Sequence, residues 1–348
     1  MNNRVDALLK AVQSEAIFIS SFANVFYYSG FMSEDAFLLI TETERFIITD
    51  SRYFVQAKLQ CPDFELIDIK KGWAYIFSRI NADEIAFEEN SLSYGMYNKI
   101  TSQCIGKKFY AEGEKVALPR RVKDKRELEL IAQAESIGDA AFSYLLNILK
   151  AGMTEREVAL ELEMYMKKHG ASTLSFPTIA ASGINSSMPH AIPQDKVIER
   201  GDFLTLDFGC VYEGYCSDMT RTVVFGTPDE KQKEIYSVVL AAQRAALDAL
   251  TCGMKCSDAD RIARDIITDS GYGDAFCHSL GHSVGTEIHE MPVFSPKSED
   301  ILENGYVMSV EPGIYIDGWG GVRIEDLIAV SDGEITNLTH SPKELIII

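Results

Sequence analysis

Two apolar segments in the second half of the chain each carry a pair of acidic residues. Asp207 ends one predicted strand of the segment LTLDFGCVYEGYCSDMTRTVV, and Asp218 lies in the strand that returns. A turn centred on Tyr212 and Glu213 would place the two aspartates opposite each other, with Cβ atoms about 4.5–5.5 Å apart. We therefore predict that this first hairpin brings both carboxylates to the same place.

The second segment is VMSVEPGIYIDGWGGVRIEDLIAV, in which a turn centred near Gly318 would place Glu311 opposite Glu325. Bare carboxylates held this close together are costly unless they share a proton or a cation. Four acids in two such pairs imply at least two positive charges, and hard oxygen donors favour Mn, Co, Fe or Zn over a thiolate metal site. The alternative is that these acids are solvated hairpin residues that bind nothing.

Three of the six histidines lie in one short stretch, FCHSLGHSVGTEIHEMP. His278 and His282 have the i, i+4 spacing of a helical zinc pair, but Gly281 and Gly285 disfavour a helix there. We expect instead a glycine-flanked loop that delivers one imidazole, that of His282. Three histidines in this stretch, with His289 the third, favour a functional site over isolated surface or core residues.

The composition sets limits on the class of protein. A chain of 348 residues exceeds the usual size of one hydrophobic core, so two domains are expected. The net charge of −19 argues against nucleic acid or an anionic membrane as a partner. The start of the chain lacks the apolar stretch of a signal peptide, and no run approaches the roughly 20 apolar residues of a membrane span. Seven scattered cysteines, an odd number, favour a reduced cytoplasmic location over a disulfide framework.

The chain is expected to fold as an α/β N-terminal domain followed by an α+β domain. Residues 16–57 contain four short apolar runs, AIFISS, VFYYSG, AFLLIT and RFIITD, which we interpret as strands of a mixed sheet. A basic stretch, PRRVKDKR, then leads into an amphipathic helix at about 124–149. We accordingly predict a boundary between domains 1–120 and 121–348.

Five of the residues discussed above, with the letters around them, match a known pattern. It has two aspartates on one hairpin, a histidine in a GHG-like loop, a glutamate in EPG and a glutamate in a RIED-like strand. The matching residues, in chain order, are Asp207, Asp218, His282, Glu311 and Glu325. Over residues 124–340 the chain therefore resembles the pita-bread metallopeptidases, the family of aminopeptidase P, prolidase and methionine aminopeptidase.

The resemblance implies a pita-bread (creatinase/aminopeptidase-like) fold for the second domain, with two bound divalent metal ions. Manganese is the first expectation, with Co, Zn or Fe as alternatives. Asp218 and Glu325 look like ligands shared by both ions, with Asp207 on one ion and His282 and Glu311 on the other. Ser283 follows the histidine where the family usually has glycine, and we expect a slightly altered loop with an intact site.

Five more residues match family positions on the substrate side of the site: His190 in SSMPHA, His278, His289 in EIHEMP, Tyr315 and Arg323. By the resemblance, Glu311 is the candidate general base. His289 would stabilise the tetrahedral intermediate or help to protonate the leaving proline nitrogen. His190 and Arg323 would orient the substrate.

The N-terminal segments NVFYYSGF and TDSRYFVQA resemble the N-terminal domain of aminopeptidase P, prolidase and creatinase, which methionine aminopeptidases lack. Creatinase and related histone chaperones lack the metal ligands. The resemblance thus implies an Xaa-Pro aminopeptidase, acting as a homodimer on peptides with proline in second position. Two alternatives stay open, a prolidase restricted to Xaa-Pro dipeptides and a catalytically inactive module that binds peptides or proteins.

Overall fold

The structure, a computed structural model, describes residues 2–348 except for the side chain of Asn2. Contacts between residues divide the chain into two units, Met1–Arg120 and Arg121–Ile348. None of the helices in the described residues combines the length and the apolar character that crossing a membrane requires. The two units are taken in turn.

The first unit is built on a six-stranded mixed sheet with the strand order β4-β3-β2-β1-β5-β6. The strands are β1 Ala16–Ile19, β2 Ala36–Thr41, β3 Arg45–Thr49, β4 Glu65–Asp68, β5 Glu84–Phe87 and β6 Lys108–Ala111. The helices are α1 Asn2–Val12, α2 Phe22–Ser29, α3 Phe54–Gln60, α4 Trp73–Ser78, α5 Tyr94–Gln103 and α6 Gly113–Ala117. Separate apolar clusters contain Leu8, Val25 and Tyr28 on one side and Phe18, Trp73 and Phe77 on the other. This unit is therefore an α/β domain, as predicted.

One predicted strand of this unit is wrong: the run VFYYSG belongs to helix α2. The side chain of Ser21 accepts a hydrogen bond from the backbone N–H of Asn24, which caps the N-terminus. Gly30 takes the left-handed conformation that ends many helices, with φ of 80°. The buried carboxylate of Glu88 accepts further bonds from the backbone N–H of Ser21 and from Asn24. Local caps and a distant acid thus override the β-propensity of the aromatic residues.

The second unit has four helices that pack in two pairs. They are α7 Lys125–Ile148, α8 Glu155–Lys168, α9 Glu230–Ala249 and α10 Cys256–Asp269. Capping boxes begin three of them, with the pairs Asp124–Glu127, Thr154–Glu157 and Asp229–Gln232. The long amphipathic helix predicted at about residues 124–149 is present as α7.

The strands of the second unit form four sheets. Two sheets are formed by strands of the first half of the unit, joined by the last strand β20, in the orders β11-β10-β7 and β20-β12-β9-β8. The other two are formed by strands of the second half, in the orders β14-β13-β15-β18-β19 and β16-β17. The strands that precede helices α9 and α10 are β7 Thr173–Leu174, β8 Ile179–Ser182, β9 Phe203–Phe208, β10 Cys210–Tyr212, β11 Tyr215–Cys216 and β12 Met219–Val224. The others are β13 Gly281–Ser283, β14 Glu290–Phe294, β15 Val307–Val310, β16 Gly313–Ile316, β17 Gly320–Arg323, β18 Asp326–Ser331, β19 Glu334–Asn337 and β20 Ile346–Ile347.

Each pair of helices covers one face of the neighbouring strands. Phe142 of α7 and Leu162 of α8 share a buried cluster with Leu204 and Leu206 of β9. Helices α9 and α10 share a second cluster with β15 and β18. Because side chains alternate along a strand, Asp207 projects from the face of β9 opposite to Leu204 and Leu206. The helices therefore bury the apolar faces and leave the polar faces to line a site.

Candidate metal centre

The first acidic hairpin folds with a register that differs from the predicted one. Asp207 is paired with Thr220, and Asp218 lies just before the start of β12. The turn is centred on Glu213 and Gly214, which have φ of 45° and 87°, one residue later than Tyr212–Glu213. The prediction of directly opposed aspartates is therefore wrong. Because a two-residue offset keeps side chains on the same face, both carboxylates still lie on one side.

The second acidic hairpin has the predicted register. Val310 pairs with Asp326 and Gly313 with Arg323, which places Glu311 opposite Glu325 between these two pairs. The backbone N–H of Glu325 donates to the carbonyl of Thr220 over 3.1 Å. The two hairpins thus meet at this point, with one acidic pair on each.

The four carboxylates and one imidazole converge. Oxygens of Asp207, Asp218 and Glu325 lie within 4.8 Å of one another. The Nε2 atom of His282 lies 3.6 Å from Oδ2 of Asp218 and 3.5 Å from Oε1 of Glu311. All five residues predicted as metal ligands therefore meet at one place in the structure.

The carboxylates are crowded and largely withdrawn from water. Burial, followed by the charges of Glu325 and Asp207, raises the pKa of Asp218 well above its usual range. Burial and then Glu311 and Asp207 have the same effect on the pKa of Glu325. Burial also raises the pKa of Glu311 to about 8. Protons or cations must therefore accompany these acids at neutral pH.

His282 is oriented as a ligand would be. Its Nδ1 lies 3.2 Å from the backbone carbonyl of Ser283, which requires the proton on Nδ1 and leaves Nε2 free to accept. Burial, with His289 nearby, lowers the pKa of His282 to about 4, so the ring is neutral at pH 7. Ser309 holds the same region, since its Oγ accepts from the N–H of His282 and donates to Glu311. A backbone carbonyl on the second ring nitrogen is the usual support for a metal-binding histidine.

Two buried oxygens of the site lack hydrogen-bond partners among the described residues. They are Oδ1 of Asp207 and Oε1 of Glu325, neither of which has a hydrogen-bond partner in the described residues. Buried polar atoms are nearly always satisfied, so unpartnered oxygens between neighbouring acids need a cation or water. The donor set is four carboxylates and one neutral imidazole, which suits hard or borderline divalent cations. The residues present therefore fit divalent metal ions.

A cavity of about 650 Å³ opens onto these ligands. His190 and His289 are exposed on its wall, and the rings of His282 and His289 lie 4.5 Å apart at 73°. The remaining wall is mostly apolar: Phe176, Pro177, Ile179, Ile192, Pro193, Ile288, Met291 and Val293. A volume of this size accommodates a short peptide beside the metal ligands.

Arg323 connects the ligands to residues behind the cavity wall. Its guanidinium donates to Oδ2 of Asp207 at 2.5 Å and to the hydroxyl of Tyr315 at 2.6 Å. The Tyr315 hydroxyl lies 3.0 Å from Nε2 of His278, while Nδ1 of that ring faces the carbonyl of Ser279. His278 and Arg323 line the cavity, whereas Tyr315 contacts both from behind. Tyr315 is thus placed to hold the other two.

Sequence reasoning assigned no role in the site to two residues that support it. Thr220 donates to Glu325 at 2.7 Å and accepts from Arg323 at 3.0 Å. The buried carboxylate of Glu135, on helix α7, accepts from the backbone N–H of Asp218. The polar residue Thr220 within an apolar strand was a usable signal, because it belongs to the same stripe as Asp207. Nothing local marks Glu135, since its partner lies 83 positions away.

The glycine before His282 has a steric reason. A Cβ atom at Gly281 would overlap the backbone carbonyl of Ser309 in the neighbouring strand. We expect Gly281→Ala to lower the free energy of unfolding by about 1–3 kcal/mol and to weaken metal binding, because strands β13 and β15 must separate. Chemical denaturation and metal titration measure both effects. Gly95→Ala is the control, since nothing lies within 4 Å of the added Cβ; equal stability of the two variants would contradict the prediction.

The chain is similar to known metallopeptidases, which agrees with a metal centre at this site. The profile described as Metallopeptidase family M24 matches residues 129–332, and that of the Creatinase/Prolidase N-terminal domain matches residues 2–122. An Xaa-Pro dipeptidase of Pyrococcus furiosus is 38% identical over 99% of this chain and 100% of its own length. A solved structure of an Xaa-Pro dipeptidase from Bacillus anthracis is 39% identical, with a TM-score of 0.96 over 100% of this chain and 99% of that one. An X-Pro aminopeptidase from Thermotoga maritima is also 39% identical, with a TM-score of 0.91 over 98% and 99% of the two chains.

Proposed function

Since this chain belongs to metallopeptidase family M24 and carries a creatinase/prolidase N-terminal domain, we propose that it hydrolyses the bond between an N-terminal residue and a following proline. One observation carries the proposal: four carboxylates and the imidazole of His282 converge on the wall of a peptide-sized cavity. Relatives named Xaa-Pro dipeptidase and X-Pro aminopeptidase support proline as the second residue of the substrate.

The five converging residues would hold two divalent ions, manganese being the first expectation. Asp218 and Glu325 lie centrally and would serve both ions, with Asp207 on one side and His282 and Glu311 on the other. When bound, such ions polarise the scissile carbonyl and make a water molecule nucleophilic near neutral pH. Glu311, the residue that the family resemblance implies as the general base, would receive the proton of that water.

Residues of the cavity wall would act on the peptide itself. His289, exposed and beside His282, would donate a hydrogen bond to the developing oxyanion or a proton to the proline nitrogen. His190 would contact the substrate from the opposite segment of the wall. Arg323 is held by Asp207 and Tyr315 and would orient the substrate without moving.

The charges of the wall favour substrates longer than a dipeptide. Among the described residues that line the cavity there is one arginine and no lysine, and that arginine, Arg323, is already bound to Asp207. The proline carboxylate of an Xaa-Pro dipeptide would normally be recognised by an available cation. An amide-linked third residue carries no charge at that position and suits the apolar wall. These charges support an Xaa-Pro aminopeptidase as the proposed function.

Restriction to dipeptides is the second candidate, and the names of several relatives favour it. Four substrates separate the two: Ala-Pro, Ala-Pro-amide, Ala-Pro-Ala and, as the control for proline, Ala-Ala-Ala. We expect Ala-Pro-amide and Ala-Pro-Ala to exceed Ala-Pro in kcat/KM by about 10-fold or more, because the free carboxylate loses a charge-assisted hydrogen bond on entering the cavity.

The amide is the matched probe, because it differs from Ala-Pro in charge and hardly in size. A kcat/KM that is highest for Ala-Pro would assign a dipeptidase instead. Cleavage of Ala-Ala-Ala as fast as Ala-Pro-Ala would contradict proline specificity itself. A homodimer belongs to the same proposal on the basis of the family resemblance, and light scattering of the purified protein measures it.

A further inference from the structure

A buried lysine connects two residues that follow functional histidines. Lys123, whose side chain is only 1% exposed, directs its Nζ to Oγ of Ser283 at 2.9 Å and to Oε2 of Glu290 at 3.1 Å. Ser283 follows His282, and Glu290 follows His289. Ser283 is also the residue that departs from the family's usual glycine, so this hydroxyl contact accompanies the departure.

These contacts lie at an irregularity in the sheet. Gly281 pairs with Phe294 and His282 with Val293, but Ser283 pairs with Glu290, so the register shifts between His282 and Ser283. Such bulges bend a strand and redirect a side chain, and they need local support because regular pairing is interrupted. The ammonium of Lys123 bridges the pair of residues just past the shift.

The bridged residues in turn hold the two imidazoles. The backbone carbonyl of Ser283 lies 3.2 Å from Nδ1 of His282 and thereby leaves Nε2 facing Asp218 and Glu311. Glu290 anchors the preceding loop, since its Oε1 accepts from the backbone N–H of Glu287 and from the hydroxyl of Thr286. That loop carries His289, whose ring packs at 4.5 Å against that of His282.

We propose that Lys123 is a positioning residue that locks the β13–β14 bulge, so that His282 presents Nε2 to the metal ions and His289 faces the cavity. Its effect passes through Ser283 and Glu290, to which its Nζ donates. A role limited to neutralising the buried Glu290 carboxylate is the competing explanation. The inference rests on the proposed metal site, but its main measurements need no substrate.

The first experiment replaces Lys123 by methionine, which keeps the stem and removes the charge and the donors. We expect the Mn²⁺ affinity of the metal-free Lys123→Met protein, measured by calorimetry, to fall by about 10–100-fold. In ¹⁵N-histidine spectra of the metal-free protein, the His282 ring should lose its single Nδ1–H tautomer. Ser283→Ala removes one acceptor with little risk to folding and should shift both measurements in the same direction by a smaller factor.

Lys196→Met is the matched control for loss of a lysine that bridges a serine and an acid. Lys196 contacts Ser182 Oγ at 2.8 Å and Asp202 Oδ2 at 2.7 Å, and it does not line the cavity. This variant should keep wild-type Mn²⁺ affinity and the wild-type His282 spectrum. Weakening of Mn²⁺ binding by the control as strong as that by Lys123→Met would overturn the inference.

The double variant Lys123→Met/Glu290→Gln separates positioning from charge balance. Removing both charges should restore the midpoint of thermal unfolding, yet Mn²⁺ affinity and the His282 tautomer should stay altered. Recovery of all three together would show that Lys123 only neutralises Glu290. An unchanged Mn²⁺ affinity in folded Lys123→Met or Ser283→Ala protein would also refute the proposal, whereas wild-type enzyme that fails to cleave proline peptides would refute only the proposed function.

Discussion

Asp218→Asn should lower kcat/KM for a proline-containing tripeptide by at least about a thousandfold, because in the proposed site this side chain would serve both metal ions and its loss would remove their activation of water. The side chain is nearly isosteric, and its surroundings, including the bond from its own N–H to Glu135, are kept. Steady-state kinetics with saturating Mn²⁺ measures the effect. Turnover within tenfold of wild type would contradict the assignment of Asp218 as a ligand.

The same variant should be more stable than wild type once metal is removed from both. Asp218 lies within 4.8 Å of Asp207 and Glu325, so neutralising it relieves repulsion among buried acids. We expect the free energy of unfolding of the metal-free variant to rise by roughly 1–3 kcal/mol. Asp139→Asn is the control, because that carboxylate accepts from the backbone N–H groups of His340 and Ser341 and is not one of the converging acids. Stabilisation by the control, or destabilisation by Asp218→Asn, would count against the electrostatic argument.

In the metal-free protein, the free energy of unfolding should fall as the pH rises above 6.5. In the metal-free protein the pKa of Glu311 is raised to about 8, and those of Asp218 and Glu325 are also raised. Between the unfolded value near 4.5 and these folded values the native state binds more protons than the unfolded chain. Its stability must therefore fall as pH rises through this interval.

The histidines set the lower pH limit of the range in which this fall in stability can be measured. His278 and His282 have pKa values lowered to about 4 by burial, so the folded protein binds fewer protons there and their contribution rises with pH up to about 6.5. From pH 6.5 to 8 the carboxylates of the site oppose folding, and so does Glu135, because burial raises its pKa to about 8 as well. Thermal unfolding after dialysis against a chelator should show a midpoint that decreases across this range.

Adding Mn²⁺ should remove most of that decrease, because the ion binds the deprotonated carboxylates of the site and affinity grows as protons leave, while the contribution of Glu135 stays. At a free concentration about 1,000 times the dissociation constant, binding adds about 4 kcal/mol to the free energy of unfolding. A midpoint that falls equally with and without Mn²⁺ would mean that the ions do not occupy this cluster.

The residue patterns predicted an α/β domain, an α+β domain and the convergence of the acids, and the family resemblance implied the pita-bread fold. The predicted α/β N-terminal domain and α+β pita-bread domain are confirmed by the two family profiles and by the solved relatives. The register of the second hairpin also follows from its symmetry about Gly318, which has φ of 72°. The first hairpin was misread because the turn moved one residue to use Gly214, which tolerates φ of 87°.

The sequence by itself thus determined the types of donor residue that converge, their order along the chain and the faces of the strands that carry them. Each of these depends on local rules: alternation along a strand, turn residues and donor chemistry. Only the tertiary structure decided how the donors are held, through the buried Glu135 behind Asp218, Arg323 between Asp207 and Tyr315, and Lys123 across the bulge beside His282. Those contacts join residues from 8 to 160 positions apart. They depend on which elements pack together, and no pattern within one segment encodes that.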